Sequence, residues 1–291
     1  MLVDMKKILL AAQRGGYAVT APSIQNETTL RAALEAAEQE YAPMILDMDY
    51  DANEDLLFFG RMCIDLANSA RVPVAINQDH GATFEEAIWG IRAGCTSIMP
   101  DRSSLPFEEN AQQVRELVKI AHAVGVSVEA ELGHVGSGET YENDPDAVLT
   151  IPEEAKKFVE VTGIDALAVA IGTAHGPYKG EPHLDFERLA AIRNVVDVPL
   201  VIHGGSGTGA ENLKKAIKGG ITKVNLGTDL YTAAVDACQE SSEIPYLKSY
   251  IFKEAFRDKL VEYIRLFGQN GHADDISPSE RTVWKGPRTE Y

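Results

Sequence analysis

The stretch 72-VPVAINQDHGATFEEA-87 changes character halfway through. Residues 72–77 make a short apolar run rich in Val and Ile, the composition of a strand buried on both faces. From residue 84 the pattern FEEAIWGIRAG returns to helical spacing and closes on Gly94, which suits a left-handed C-cap. Between the two, an acid and an imidazole, Asp79 and His80, stand side by side where the strand runs out. A strand that ends in reactive groups and turns at once into a helix is half of a βα repeat.

The rest of the chain repeats it. Strand-like runs fall at 17–21, 43–48, 72–77, 97–101, 127–132, 166–171, 199–203 and 223–227. Helical segments lie between them at 27–41, 54–70, 84–94, 107–125, 153–163, 185–194 and 210–220, and a long helix follows the last strand near 246–268. Eight such repeats over about 250 residues are the count for a single (β/α)8 TIM barrel. The barrel then covers residues 1–270, including an extra C-terminal helix, and a polar, aperiodic tail covers 271–291. A doubly wound open sheet is the alternative, but no GxGxxG follows the first strand to favour it.

Composition narrows the function classes. The net charge of −17 over 291 residues leaves no basic face for a nucleic-acid backbone. A local positive site for a small anion is still compatible with it. Cys63, Cys95 and Cys238 show no CxxC spacing, which fits a reduced cytoplasmic protein. The first residues read as an amphipathic helix and not as a signal peptide. No apolar run reaches the roughly 18 residues that a membrane span needs.

A barrel places its chemistry at the C-terminal ends of its strands. His80, His175 and His203 follow strands 3, 6 and 7, so all three converge on one mouth. Three histidines with an open fourth position make a catalytic zinc site. His122, His134, His183 and His272 lack that placement and read as structural or surface groups, with His134 the one nearest the mouth. Asp79, beside the proposed metal but pointing differently, is placed for proton transfer. Asp101 and Glu131 end neighbouring strands and either form a second metal position or orient the histidines. Two glycine-rich turns, 203-HGGSGTG-209 and 225-NLGT-228, have the character of anion cradles, with Gly176 and Lys179 on the strand-6 loop to complete them.

With these residues in view, the chain resembles the class II, zinc-dependent ketose-bisphosphate aldolases. The specific pieces are DHG at 79–81, PFEEN at 106–110, VEAELG at 128–133, AVAIGTAHGPYKG at 168–180, HGGSG at 203–207 and KVNLGTD at 223–229. The resemblance implies one Zn2+ per subunit on His80, His175 and His203, with Asp79 exchanging the proton of the substrate C4 hydroxyl. It implies that Gly176, Gly204, Gly205, Ser206, Asn225, Leu226, Gly227 and Thr228 hold dihydroxyacetone phosphate. Lys179 would lie near that phosphate and an associated monovalent cation, and Glu139 would be the mobile-loop acid that moves the second proton. A homodimer or homotetramer acting on a sugar phosphate, with neither nucleic acid nor membrane as partner, is the expected assembly.

The pattern departs from the family around strands 1 to 4. The family reads HLDHG, AFN and MIDGS where this chain has 77-NQDHG-81, 20-TAPSIQN-26 and 99-MPDRS-103, and a strand-2 serine is replaced by Asp49. Asn26, Asp49, Asn77, Gln78 and Arg102 are therefore candidates for an altered aldehyde half. Arg102 either binds an anion other than phosphate, pairs with Asp47 or Asp49, or points outward around an ordinary fructose 1,6-bisphosphate. A metal-dependent barrel hydrolase and a non-catalytic sugar-phosphate sensor are the alternatives from other classes.

Overall fold

The computed structural model describes residues 1–49, 53–143 and 148–277, so residues 278–291 of the proposed tail lie outside the described residues. Eight strands form one parallel sheet: β1 (Val19–Pro22), β2 (Met44–Asp49), β3 (Val74–Gly81), β4 (Ser97–Pro100), β5 (Ser127–Leu132), β6 (Ala166–Val169), β7 (Leu200–Ile202) and β8 (Ile221–Leu226). Their order is β1-β8-β7-β6-β5-β4-β3-β2. At the seam, an isolated parallel bridge pairs Ser23 with Asp47, and the Ile24 N–H donates to the Asp47 carbonyl at 2.8 Å. The ring is thereby nearly closed into the expected (β/α)8 barrel.

The helices between the strands are α2 (Glu27–Gln39), α3 (Leu56–Ser69), α4 (Phe84–Ala93), α5 (Phe107–Ala123), α6 (Pro152–Thr162), α7 (Phe186–Val195) and α8 (Ala210–Lys218). They are preceded by α1 (Met5–Gly15) and followed by α9 (Thr228–Glu240) and α10 (Lys248–Leu266). The quoted stretch folds as read. Thr83 caps α4 by accepting from the Glu86 N–H, Glu86 reaches back to the cap, and Gly94 ends the helix at φ 94°. Helix α9 is absent from the sequence reading. It buries only Leu230 and Ala234, so its apolar stripe is too narrow to register as a period.

Two separate cores set the site's position. The larger one lies between the sheet and its helices. The smaller one fills the N-terminal end of the barrel, where Met5, Ile8, Leu9 and Ala12 of α1 pack against Val19, Ile45, Ala75, Met99, Ala168 and Val201. Burying each large side chain of that plug is worth about 1.5–3 kcal/mol. Above the apolar layer the barrel interior turns polar, with Asp47, Asn77, Glu129 and Lys223 all 0% exposed. The open end of the barrel is the C-terminal end of its strands. Residues 271–277 pack back on the N-terminal end: His272 stacks on Tyr17 at 4.1 Å, and Ile276 joins the smaller core. Among the described residues no helix is long and apolar enough to cross a membrane.

Candidate active site

The three histidines predicted to converge do so. His80 closes β3 with φ 45°, a left-handed backbone that swings its ring across the mouth. His175 sits on the β6–α7 loop and His203 directly after β7, and the three rings meet edge to face with centroids 4.7–5.8 Å apart. Their partners fix which nitrogen faces inward. His80 Nδ1 lies 2.9 Å from Asp101 Oδ2, and His203 Nε2 lies 2.9 Å from Glu129 Oε1. Carboxylates only accept, so both of those nitrogens carry the proton. That turns His80 Nε2 and His203 Nδ1 toward each other, 2.9 Å apart, and the buried Nε2 of His175 has no partner.

Three imidazole lone pairs aimed at one point suit a divalent cation with nitrogen preference, such as zinc, and the carboxylates behind two of them are the usual support for such ligands. The charges agree. Burial alone would lower the His80 imidazole, but Asp79, the Asp101 hydrogen bond and Glu131 override it and push it up to about 10. His175 is pushed down to about 4 by burial and by His80, and burial, with His80 and Lys223, also holds His203 well below its ordinary value.

Beneath the histidines runs a network that the sequence reading missed. Lys223 Nζ lies 3.0 Å from Glu129 and 3.5 Å from Asp47, all fully buried, and Asn77 Nδ2 donates to Asp47 Oδ1 at 2.9 Å. The available signal was a lysine inside the otherwise apolar run 221-ITKVNL-226. Asn225 joins this layer to the mouth: its Nδ2 lies 2.9 Å from Asp79 Oδ2 and 3.2 Å from His203 Nδ1. Asp79 keeps its other oxygen buried and without a partner. Burial would raise its carboxyl, but His80, His203 and Lys223 outweigh that and hold it below the ordinary range, so it is ionised at neutral pH.

Two cavities flank the histidines. One, of about 230 Å³, is lined by Asp79, His80 and His175, by Gly176, Gly204, Ser206, Asn225, Leu226, Gly227 and Thr228, and by Ser23 and Asp49. Among the described residues the amides of Gly176, Ser206, Gly227 and Thr228 have no partner within the protein. Free N–H groups lining a cavity at the N-terminus of α9 favour an anion. Gly204 is required there by contact: at φ +66°, any Cβ would meet the Ala174 carbonyl oxygen at 2.1 Å. The other cavity, of about 470 Å³, is walled by Asp101, Glu131, His134, Ser137 and Thr140. His134 Nδ1 lies 2.7 Å from Ser103 Oγ, which donates to Asp101 at 2.6 Å.

Several candidate residues sit elsewhere than expected. Arg102 is buried, but its Nη1 lies 2.6–2.7 Å from the carbonyls of Gly81, Ala82 and Asp101, and its Nε donates to Gln113 at 2.8 Å. It binds the end of β3 in place, and the suggested pairing with Asp47 is replaced by Lys223. Gln78 points out of the barrel, where a Cβ on Gly90 of α4 would meet it at 2.8 Å. Asn26 is exposed and caps α2, accepting from the Thr29 N–H. Gly205 packs on β8 and spends its N–H on the Asn225 carbonyl at 3.1 Å. The side chains of Lys179 and Glu139 are exposed and line neither cavity. Asp101 orients His80, one of the two roles expected of it, and Glu131 accepts from the Val135 N–H at 2.8 Å and leaves its other oxygen unpartnered.

A parallel barrel whose mouth joins three converging imidazoles able to hold a metal, an ionised buried acid and an anion cradle has the architecture of a barrel enzyme for small anionic substrates. The family model for class II fructose-bisphosphate aldolase matches residues 3–272. The chain belongs to that family and is a carbon–carbon lyase. It is similar to the YdjI aldolase of Escherichia coli K12, with 36% identity, 94% of this chain and 100% of that one covered, and a TM-score of 0.86. A putative fructose-1,6-bisphosphate aldolase of Coccidioides immitis matches at 29% identity over 92% and 96% of the two chains, with a TM-score of 0.84. The fold is shared with the fructose-bisphosphate aldolase of Campylobacter jejuni, at 23% identity over 92% and 96%, with a TM-score of 0.77.

Proposed function

We propose that this aldolase reversibly cleaves a ketose 1-phosphate to dihydroxyacetone phosphate and an aldehyde whose far end carries no phosphate. The observation that carries this reading is the mixed lining of the smaller cavity. It holds the unpartnered amides of Gly176, Ser206, Gly227 and Thr228 and, besides Asp79, a second acid, Asp49. The amides attract one phosphate. An added carboxylate in the same cavity disfavours a second and suits hydroxyl groups.

His80 Nε2, His203 Nδ1 and His175 Nε2 would hold zinc, which supplies Lewis-acid polarisation of the substrate carbonyl and removes the need for a Schiff-base lysine. Asp79 accepts the C4 hydroxyl proton through its unpartnered oxygen as the C3–C4 bond breaks, and returns it in condensation. Asn225 anchors the other Asp79 oxygen, which keeps the acceptor aimed. The phosphate, held by the amides, fixes the reacting carbons against Asp79 and so removes most of the orientational cost. By the resemblance the proton at C3 falls to Glu139, whose exposed side chain would have to swing in with its segment, where the neighbours Ser137 and Thr140 line the larger cavity.

The test is a comparison of kcat/KM for fructose 1-phosphate and fructose 1,6-bisphosphate, with dihydroxyacetone phosphate release as the readout. The monophosphate is expected to be cleaved at least as well. A tenfold preference for the bisphosphate would overturn the assignment of the far end.

A further inference from the structure

On the loop after β7 the Ser206 amide faces no protein partner, while the amides of Gly205, Gly207 and Thr208 are tied elsewhere. Gly205 N–H goes to the Asn225 carbonyl at 3.1 Å, and Thr208 N–H to the Gly205 carbonyl at 3.3 Å. Gly207 N–H donates to Asp229 Oδ2 at 3.1 Å. Asp229 is the second residue of α9, beside the free amides of Gly227 and Thr228, and its own N–H donates to Ser206 Oγ at 3.1 Å. A carboxylate so placed is a competitor: swung inward, it would occupy the helix N-terminus that an anion needs. One side chain holds it back. Tyr263, 8% exposed on α10, donates its hydroxyl to the same Asp229 Oδ2. Its ring is fixed by packing on Phe267 at 5.6 Å. The helix outside the eight-fold repeat thus reaches the mouth through one hydrogen bond.

We propose that Tyr263 is a positioning residue for the phosphate-binding cradle, acting by holding the Asp229 carboxylate out of the anion's place and on Gly207. The proposal rests on the reading of the cradle given above. It gives α10 a part in substrate affinity although none of its residues lines the cavity.

The experiment compares Tyr263→Phe, Asp229→Asn and the double variant with the unaltered metal-loaded protein, using inorganic phosphate as the probe in calorimetry. Tyr263→Phe keeps the ring and its packing. Phosphate affinity is expected to fall about tenfold, the scale of one hydrogen bond to a charged group. KM for the ketose phosphate should rise by a similar factor while kcat falls by less than about threefold. In the Asp229→Asn background the same change should cost less than about twofold, because the competing charge is gone. Phosphate affinity within twofold of the unaltered protein overturns the inference, as does an equal loss in both backgrounds. If the unaltered protein cleaves ketose phosphates and Tyr263→Phe binds phosphate normally, only this inference fails. If phosphate binding responds as expected but no ketose phosphate is cleaved, the substrate reading fails and the inference stands.

Discussion

Asp79 is surrounded by groups that serve it: Asn225 anchors one oxygen, and Lys223 and the histidines keep it ionised. Replacing it with Asn preserves shape and removes only the proton acceptor. Asp79→Asn is therefore expected to lower kcat by about 100- to 10,000-fold with bound metal retained. Turnover within tenfold of the unaltered enzyme, at equal metal content, would remove Asp79 from its assigned role. A second buried acid acts on stability alone. Asp165 accepts from His122 Nε2 at 2.7 Å, the Val128 N–H at 2.9 Å and Lys6 Nζ at 2.8 Å. Burial would raise its carboxyl, but those donors outweigh burial and hold it below the ordinary range. A carboxyl depressed on folding stabilises above its unfolded pKa and loses that effect as pH falls through the folded one. Asp165→Ala should cost about 2 kcal/mol at neutral pH, with the half-exposed Lys6 contributing little of it. In urea titrations the gap should start to narrow as pH falls below about 4, where the unfolded state begins to bind the proton, and the charge-dependent part should be gone only once the folded state binds it too. A gap that is constant with pH would show that the carboxylate's charge is irrelevant.

At the scale of elements, strand and helix positions were legible because burial on both faces and helical period leave strong patterns. Strands β2 and β5 and helices α4 and α8 lie within a few residues of their expected bounds. Histidine convergence followed from the same reading, since a barrel fixes where strand ends meet. Side-chain direction was less legible. Gln78 follows the period-two rule and points away from Asp79's side, so alternation alone excludes it from the mouth. Arg102 has a reach of several bonds, and nothing in 99-MPDRS-103 shows that its guanidinium would fold back onto three carbonyls. The contact between the β6 and β7 loops was likewise invisible, since it joins residues 30 apart. It is testable through Gly204→Ala. The added methyl meets the Ala174 backbone, which cannot rotate away as a side chain would, and φ +66° is itself unfavourable for Ala. The variant should lose about 1–3 kcal/mol of stability and bind phosphate more weakly, because the loop must shift away from His175. Unchanged thermal stability and phosphate affinity would show that the two loops part without cost.

The molecule as a whole is built as an apolar plug under a charged mouth. Helix α1 closes one end, and the polar layer above it gathers Asp47, Asp79 and Glu129 around the single cation Lys223. So many buried carboxylates around one lysine are costly unless further positive charge sits among them. Without a bound cation, protons meet part of that cost: burial, with Asp79 and Glu129, pushes the Asp47 carboxyl well up, and the carboxylates around His80 favour its protonated form. A divalent cation on the three histidines would meet the same need with twice the charge, so metal binding would be coupled to folding. At free metal 100-fold above its dissociation constant the stabilisation is about 2.7 kcal/mol. For a domain of this size that corresponds to about 5–10 °C in melting temperature. Treatment with a chelator should lower the melting temperature by that order, and re-adding zinc should restore it. The separation between sites is the decisive part. His203→Ala should abolish the zinc-dependent shift, because it removes one of the three converging nitrogens. Asp79→Asn should keep it, because Asp79 stands beside the cation as proton acceptor and is not one of its holders. A shift that survives His203→Ala unchanged would place the metal elsewhere in the barrel and separate it from the chemistry of the mouth.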